Sequence, residues 1–480
     1  MVNVLQKIFN AGVDEVAQTY TIESWHVSQS VDALTAVEAY DISISGSLSE
    51  EGPVIIVGTV SNGDGSAIAS GLYSHAEGNG TQAIGDYSHA EGDGAQAIGY
   101  ASHAEGVGTQ AIGDYSHTEG GSNNIASSSY SHAEGADTQA IGEGSHTEGE
   151  STQAIGNFSH AEGFQTLASG SYSHAEGYTT IASGSYSHAE GVSTKAIGAH
   201  SHAEGWQTQA FGPYSHAEGQ NTTTILDSSH AEGLSTTAYG FQSHAEGAYT
   251  VASGAYSHTE GGHSLTSGRH SHAEGSGSIA VGLASHAEGF ITVASGSFSH
   301  AEGRNTIASG SYSHTEGVNT ITIGLYSHAE GVGTNASGTY SHAEGVRCIA
   351  IGQGSHAEGI DTIAIGVNSH AEGNLTVALG STSHAEGSGT IASGSYQHVS
   401  GQYNAHGDTT SLLIVGNGIN DSTRKDAFKV TWSSSIALPQ TQSAAPTWTG
   451  VDGEIVPATV GGAYRLYMWM NGNWRSSTFS

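Results

Sequence analysis

Basic residues are scarce in this chain: 10 Lys and Arg stand against 45 Asp and Glu, for a formal net charge of −35 over 480 residues. That balance argues against a nucleic-acid partner, which wants a basic stripe, and against an anionic membrane surface. Proline numbers 5, and the 70 glycines keep no Gly-X-Y period, so a collagen helix is excluded. The single cysteine, Cys348, allows no disulfide framework and reads as a small filler. No run of about 18 apolar residues occurs, so no membrane insertion is expected. The segment from Met1 to Phe9 is too short and too polar for a secretory signal.

What the chain does have is a repeat. Ser-His-Ala-Glu-Gly returns every 14 residues from Ser74 to Gly387 in 23 copies, four of them with Thr for Ala (Thr118, Thr147, Thr259, Thr315). One extra residue enters before His132, and Gln397-His398-Val399 closes the series as a degenerate copy. A short period sustained over this length predicts a solenoid. An enzyme keeps a single reactive constellation, so a motif stamped out this often predicts a structural role, with no catalytic site and no cofactor.

Each unit splits into two halves, Thr81-Gln82-Ala83-Ile84-Gly85 being a regular second half. Strand alternation places Ser, Ala and Thr on one face, and His and Glu on the other. Only the small set fits inside a narrow coil, and Gly ends each half because a tight corner often needs positive φ. Turns stacked as parallel strands roughly 4.8 Å apart would make a rod of about 110 Å. An interior of Ala and Ser buries little apolar surface, so copies of the rod are expected to bundle lengthwise.

Stacking creates one column of imidazoles and one of carboxylates, represented by His75 and Glu77, His89 and Glu91, His103 and Glu105, His174 and Glu176, His188 and Glu190, His300 and Glu302, and His384 and Glu386. These are expected to face the bundle axis or its seams, each His pairing with a Glu of the next chain, which raises the His pKa and lowers that of Glu. Solvated columns repeated by duplication are the plainer alternative. Metal binding by rings of His is a third, opposed by the repulsion between cations at every turn. The outer positions of the second half drift from Gln82 and Ile84 to Ile181 and Ser183 to Lys195 and Ile197, the pattern of a solvated face. Tyr or Phe precedes the Ser in most turns, as at Tyr73, Tyr87, Phe158 and Tyr172, predicting a stacked corner ladder, with a carbohydrate-binding strip as the sharper alternative.

Four regions follow: residues 1–66, non-repetitive with β-rich runs; 67–403, the shaft; 404–438, a β-rich transition; and 439–480, a β tip. Within the tip, Asn471-Gly472 predicts a hairpin, and Tyr464, Tyr467, Trp469 and Trp474 are candidate contact residues.

The half-repeat Ser-x-Ala-x-Gly resembles the heads of trimeric autotransporter adhesins. That resemblance implies an all-β fold, a left-handed parallel β-roll solenoid associated as a homotrimer with small β-rich terminal domains. The spelling Ser-His-Ala-Glu-Gly, with Gln397 to Asn404 and Ile414 to Gly418 downstream, is similar to bacteriophage tail and head fibre proteins. This second resemblance implies a virion protein whose N-terminal region attaches to the particle and whose tip meets a host surface receptor or another fibre component. Two alternatives stand beside it. A tailspike depolymerase would use a pair of carboxylates, but every Glu of the array has an equivalent neighbour. A cell-surface trimeric adhesin would want an export signal, which is not read here.

Overall fold

A computed structural model describes residues 60–62, 66–433, 436–437, 445–447, 450, 454–460 and 463–478. The β runs expected at residues 20–22 and 54–57 lie outside the described residues. Residues 60–62 and 66–417 form a parallel β-solenoid. Each turn contributes a strand opening at the motif His, such as His75–Asn79, and a two-residue strand, such as Gln82–Ala83. The longer strands stack with His75 beside His89, Ala76 beside Ala90 and Glu77 beside Glu91. The short strands form a second sheet, with Gln82 beside Gln96 and Ala83 beside Ala97. Every residue therefore meets its own equivalents above and below.

The inward set is the expected one. Ser74, Ala76, Thr81 and Ala83 are buried, as are their equivalents along the array. The motif Ser also fixes the local backbone. Ser74 Oγ donates to the Gly71 carbonyl at 2.7 Å, and Ser102 and Ser299 repeat the bond to Gly99 and Gly296. A buried hydroxyl thus closes the corner three residues upstream. At Thr259 and Thr315 the facing residue of the second half is also Thr, and the hydroxyl pairs Thr259–Thr266 and Thr315–Thr322 lie 2.5 and 2.7 Å apart. Each hydroxyl satisfies the other. The signal was present in the sequence as a second Thr seven residues on.

The glycines divide into two kinds. Gly78 has φ of +115°, as a corner of the expected type. Gly85 does not; a Cβ there would sit 2.0 Å from the Gly99 carbonyl oxygen of the next turn, a crowding that disfavours side chains although Ser128 and Leu226 hold this position in other turns. Positive φ falls instead on the residues just before the inward Ser and Thr, among them Tyr87 (60°), Thr179 (57°) and Ile291 (55°). A β-branched side chain in this region is costly, and Ile291 is 48% exposed, with little packing to lose. Replacing Ile291 by Asn is expected to stabilise the shaft by about 1 kcal/mol, read as a rise in the thermal unfolding midpoint.

The extra residue before His132 is absorbed in one corner. Asn124 occupies the buried Thr position, and its Nδ2 donates to the Glu119 and Gly135 carbonyls at 2.7 and 2.8 Å. His117 and His132 remain paired in register.

Parallel stacking continues past the boundary expected at 403. The strand Ser411–Asn417 lies on His398–Gln402, and Asp426–Thr431 then pairs with it antiparallel, ending the stack. Buried Gln397 stands in the motif Ser position and does more than Ser could. Its Oε1 accepts from the amides of Ser393 and Gly394, and its Nε2 donates to the Asp408 and Ser411 carbonyls. The Asp408 carboxylate accepts from Thr410, Ser411 and Lys429, and Lys429 also pairs with Asp426 at 2.7 Å. Burial pushes the Asp408 carboxyl up, but Lys429 and the amide and hydroxyl donors outweigh it and hold the pKa well below the usual range. Gln397→Ala would leave four backbone groups without their partner and is expected to cost at least about 2 kcal/mol. Hydrogen exchange should show the loss confined to the turns around residues 391–417.

At the C-terminal end Ile455–Val460, Ala463–Met470 and Asn473–Thr478 form an antiparallel three-stranded sheet. The expected hairpin turns at Asn471 and Gly472, with φ of 49° and 80°, the two positive values a tight two-residue turn requires. Among the described residues no helix is long and apolar enough to cross a membrane.

Candidate functional site

His and Glu of each motif stand two residues apart on one strand, so both project from the same outer face. In-register stacking then builds an unbroken ladder of imidazoles from His75 to His398, with ring centroids 4.6 to 4.9 Å apart and nearly parallel planes. The carboxylates form a second column beside it. The expected residues all lie here: His75 Nε2 is 3.7 Å from Glu77, His89 is 3.6 Å from Glu91, His103 is 3.7 Å from Glu105, and His174 is 3.9 Å from Glu176. Some imidazoles sit between two carboxylates. His188 Nε2 is 3.8 Å from Glu176 and 3.7 Å from Glu190, and His300 Nε2 is 3.9 Å from Glu288 and 3.8 Å from Glu302. At the C-terminal end the pairs tighten, His384 to Glu372 at 3.2 Å and His398 to Glu386 at 3.3 Å.

Although the rings are about one-third exposed, as at His160 with 33%, the Nε2 atoms are sealed from solvent. Among the described residues, every column Nε2 except that of His384 lacks a hydrogen-bond partner. A shallow acidic groove follows the carboxylates; one stretch of about 640 Å³ is lined by Glu274, Glu288, Glu302, Glu316 and Glu330.

Within one chain, without the expected Glu of a neighbouring chain, the His electrostatics are set by the stack itself. Burial first, and then the neighbouring imidazoles, lower the pKa, to about 4 at His132, His160 and His230. Stacked like charges and desolvation outweigh the carboxylates beside them. From Glu119 to Glu190 the Glu column alternates. Hydrogen bonds from Glu176 and Glu148 push Glu162 up to about 7, while Glu148 and Glu176 are lowered. The same alternation joins raised Glu302, Glu330 and Glu358 to lowered Glu316 and Glu372. Where neighbouring carboxyls hydrogen-bond in this way, the proton they share favours ionisation of one and opposes that of the next.

The outer face of the second sheet, expected to be solvated, becomes more aliphatic towards its C-terminal end. From Val251 to Ile391 its first column reads Val, Leu, Ile, Val, Ile, Ile, Asn, Ile, Ile, Val, Ile. In the adjoining column Ile323, Ile351, Ile365 and Leu379 are 55, 48, 42 and 42% exposed. The aromatic ladder forms as expected and includes residues that sequence reading missed: His200 stacks between Tyr186 and Tyr214 at 4.8 and 4.9 Å. Because each ring covers its neighbour's face, a sugar would find mainly ring edges, which weakens the carbohydrate-strip alternative.

In the tip, Trp469 meets Trp474 edge to face, with centroids 5.3 Å apart. Tyr467 is 8% exposed and packs with Val456 and Ala458, so its side chain is taken up in the small core rather than offered for contact. The Tyr464 side chain lies outside the described residues.

The family model of the YadA head domain repeat, in two copies, matches the chain at residues 90–116, 161–187, 231–257, 287–313, 301–327, 343–369 and 371–396. These stretches of the solenoid are similar to the YadA head domain repeat, the β-roll of trimeric autotransporter adhesins. No curated protein matches the chain.

Proposed function

We propose that this array, similar to YadA head repeats, is the shaft of a trimeric, adhesin-type fibre that holds a binding region away from the particle bearing it. The observation that carries this reading is the half-buried aliphatic column of the second sheet between Val251 and Ile391, flanked by exposed Val281, Ile323, Ile351, Ile365 and Leu379. A surface repeating every 14 residues is matched along its length only by another of equal pitch, which makes a second copy of this chain the natural partner. Burying Ile and Val there is worth about 25 cal/mol per Å². Burying the ionisable His–Glu face would instead carry a desolvation cost. The contact between copies is therefore assigned to the isoleucine face, in place of the His–Glu seam that the sequence suggested. The trimer number follows the adhesin heads.

The bearer we propose is a bacteriophage virion, with residues 1–66 as the attachment region and the C-terminal sheet towards a host receptor. The likeness of the Gln397 to Gly418 segment to phage fibres supports it, and that segment closes the solenoid in this chain. The chain of 48.8 kDa should sediment at three times its own mass. Ile349→Lys with Ile363→Lys should shift it towards monomer while leaving the β-sheet circular dichroism signal intact. A wild-type monomer would refute the association. Antibody to residues 455–478 should label fibres on phage particles in micrographs; labelling of bacterial surfaces alone would favour the cell-borne adhesin.

A further inference from the structure

We propose that the His–Glu face binds divalent transition-metal ions of the zinc class, each ion held by the imidazoles of two successive turns and the carboxylate between them. The arrangement recurs along the shaft. In His146–Glu148–His160 and in His202–Glu204–His216 one ligand atom from each residue lies within 4.8 Å of the others, and the same holds for His103–Glu105–His117 and His188–Glu190–His202. A tetrahedral ion with ligand bonds of about 2.0–2.2 Å sets its donors about 3.4 Å apart. In three of these sets one imidazole already stands near that spacing, at 3.7, 3.7 and 3.5 Å for His103–Glu105, His188–Glu190 and His202–Glu204, while the other lies up to 4.8 Å away, as both do in His146–Glu148–His160. The two imidazoles must tilt towards each other by about 1 Å to complete the set.

Three observations point to a cation as the missing partner. The Nε2 atoms are aimed at the carboxylates, yet all but that of His384 lack a hydrogen bond among the described residues. The groove alongside is walled by Glu from successive turns, so each ion would neutralise repulsion that the fold otherwise carries. Two nitrogens with one oxygen is a borderline donor set that suits zinc, nickel or copper; magnesium and calcium prefer oxygen throughout.

The geometry also limits stoichiometry. Overlapping sets share an imidazole, as His160 is shared by His146–Glu148–His160 and His160–Glu162–His174. One Nε2 serves one ion, so adjacent sets compete and occupancy reaches at most one ion per two turns, or 12 ions for the 24 imidazoles of the column. That spacing answers the objection that a cation at every turn would be repelled by the next: alternate turns place the charges about a Debye length apart, with carboxylates between them.

The proposal rests on geometry within one chain and does not depend on the number of chains in the fibre. The test is calorimetric titration of the full chain with Zn²⁺ at neutral pH, with elemental analysis after dialysis. Several ions per chain, and no more than 12 at saturation of the column, are expected. A variant with Glu148→Gln, Glu162→Gln, Glu176→Gln, Glu190→Gln, Glu204→Gln and Glu218→Gln should keep its circular dichroism spectrum and bind about three ions fewer, at one per two turns. Fewer than one ion retained per chain, or undiminished uptake by the folded variant, would overturn the assignment. Sedimentation of the same samples separates this outcome from any failure of self-association.

Discussion

Acidification from pH 7 to pH 4 is expected to destabilise the metal-free shaft. Thirteen column imidazoles have lowered pKa values in the folded chain, three of them to about 4. Unfolded histidines titrate near 6.5. As pH falls through that value the unfolded chain takes up protons that the folded ladder refuses, and stability declines until the folded pKa values are reached. Seven carboxyls act in the opposite sense. Glu134, Glu162, Glu190, Glu218, Glu302, Glu330 and Glu358 are raised, so the folded chain holds protons that the unfolded chain releases above its ordinary Glu pKa. Thirteen groups against seven leave the imidazoles in excess. Partial exposure screens each contribution, so a net slope of at least about 1.4 kcal/mol per pH unit, the effect of one proton, is the conservative expectation. Below the ordinary Glu pKa the lowered carboxyls, such as Glu148 and Glu176, add to the loss. Chemical denaturation at intervals between pH 7 and 4 checks the sign. A stability that rises on acidification would show that the shared carboxyl protons dominate, and replacing His132, His160 and His230 by Gln should flatten the curve.

The second large effect belongs to the glycines. Gly177 has φ of +108°, and a Cβ on it would meet the Gly191 carbonyl oxygen at 2.2 Å. Gly177→Ala therefore forces a left-handed conformation and an overlap with the next turn together. A loss of about 1–3 kcal/mol is expected from the overlap alone, and somewhat more with the backbone strain. Gly262 is the internal control: its φ is ordinary and a Cβ there meets nothing within 4 Å. Gly262→Ala should be neutral or stabilising by about 0.4–1 kcal/mol, through the lower entropy of the unfolded chain. Thermal unfolding distinguishes the two. Since each turn contacts only its neighbours, hydrogen exchange around Gly177 should open over one or two turns and leave distant ones protected.

Much of the fold was legible because the period is short and the strand alternation strict. Spacing alone separated Ser74, Ala76, Thr81 and Ala83 from His75 and Glu77, since a residue in a strand can point only one of two ways. It also placed all the named His and Glu residues on one face, and Asn471-Gly472 announced its hairpin. Other features could not be read from one turn. Gly85 looks like Gly78 in sequence, and a Cβ on either would meet the carbonyl of the next turn at 2.0 Å, but only Gly78 also needs positive φ. The lowered His pKa values arise from burial in the stack and then from the imidazoles above and below, neither of which the motif in isolation contains. The isoleucine face emerges only when positions 14 residues apart are set side by side as neighbours. Sequence by itself determined which side chains point in and which point out, because that is a property of the single strand. The tertiary structure decided what each outward side chain meets, because those encounters exist only between stacked turns.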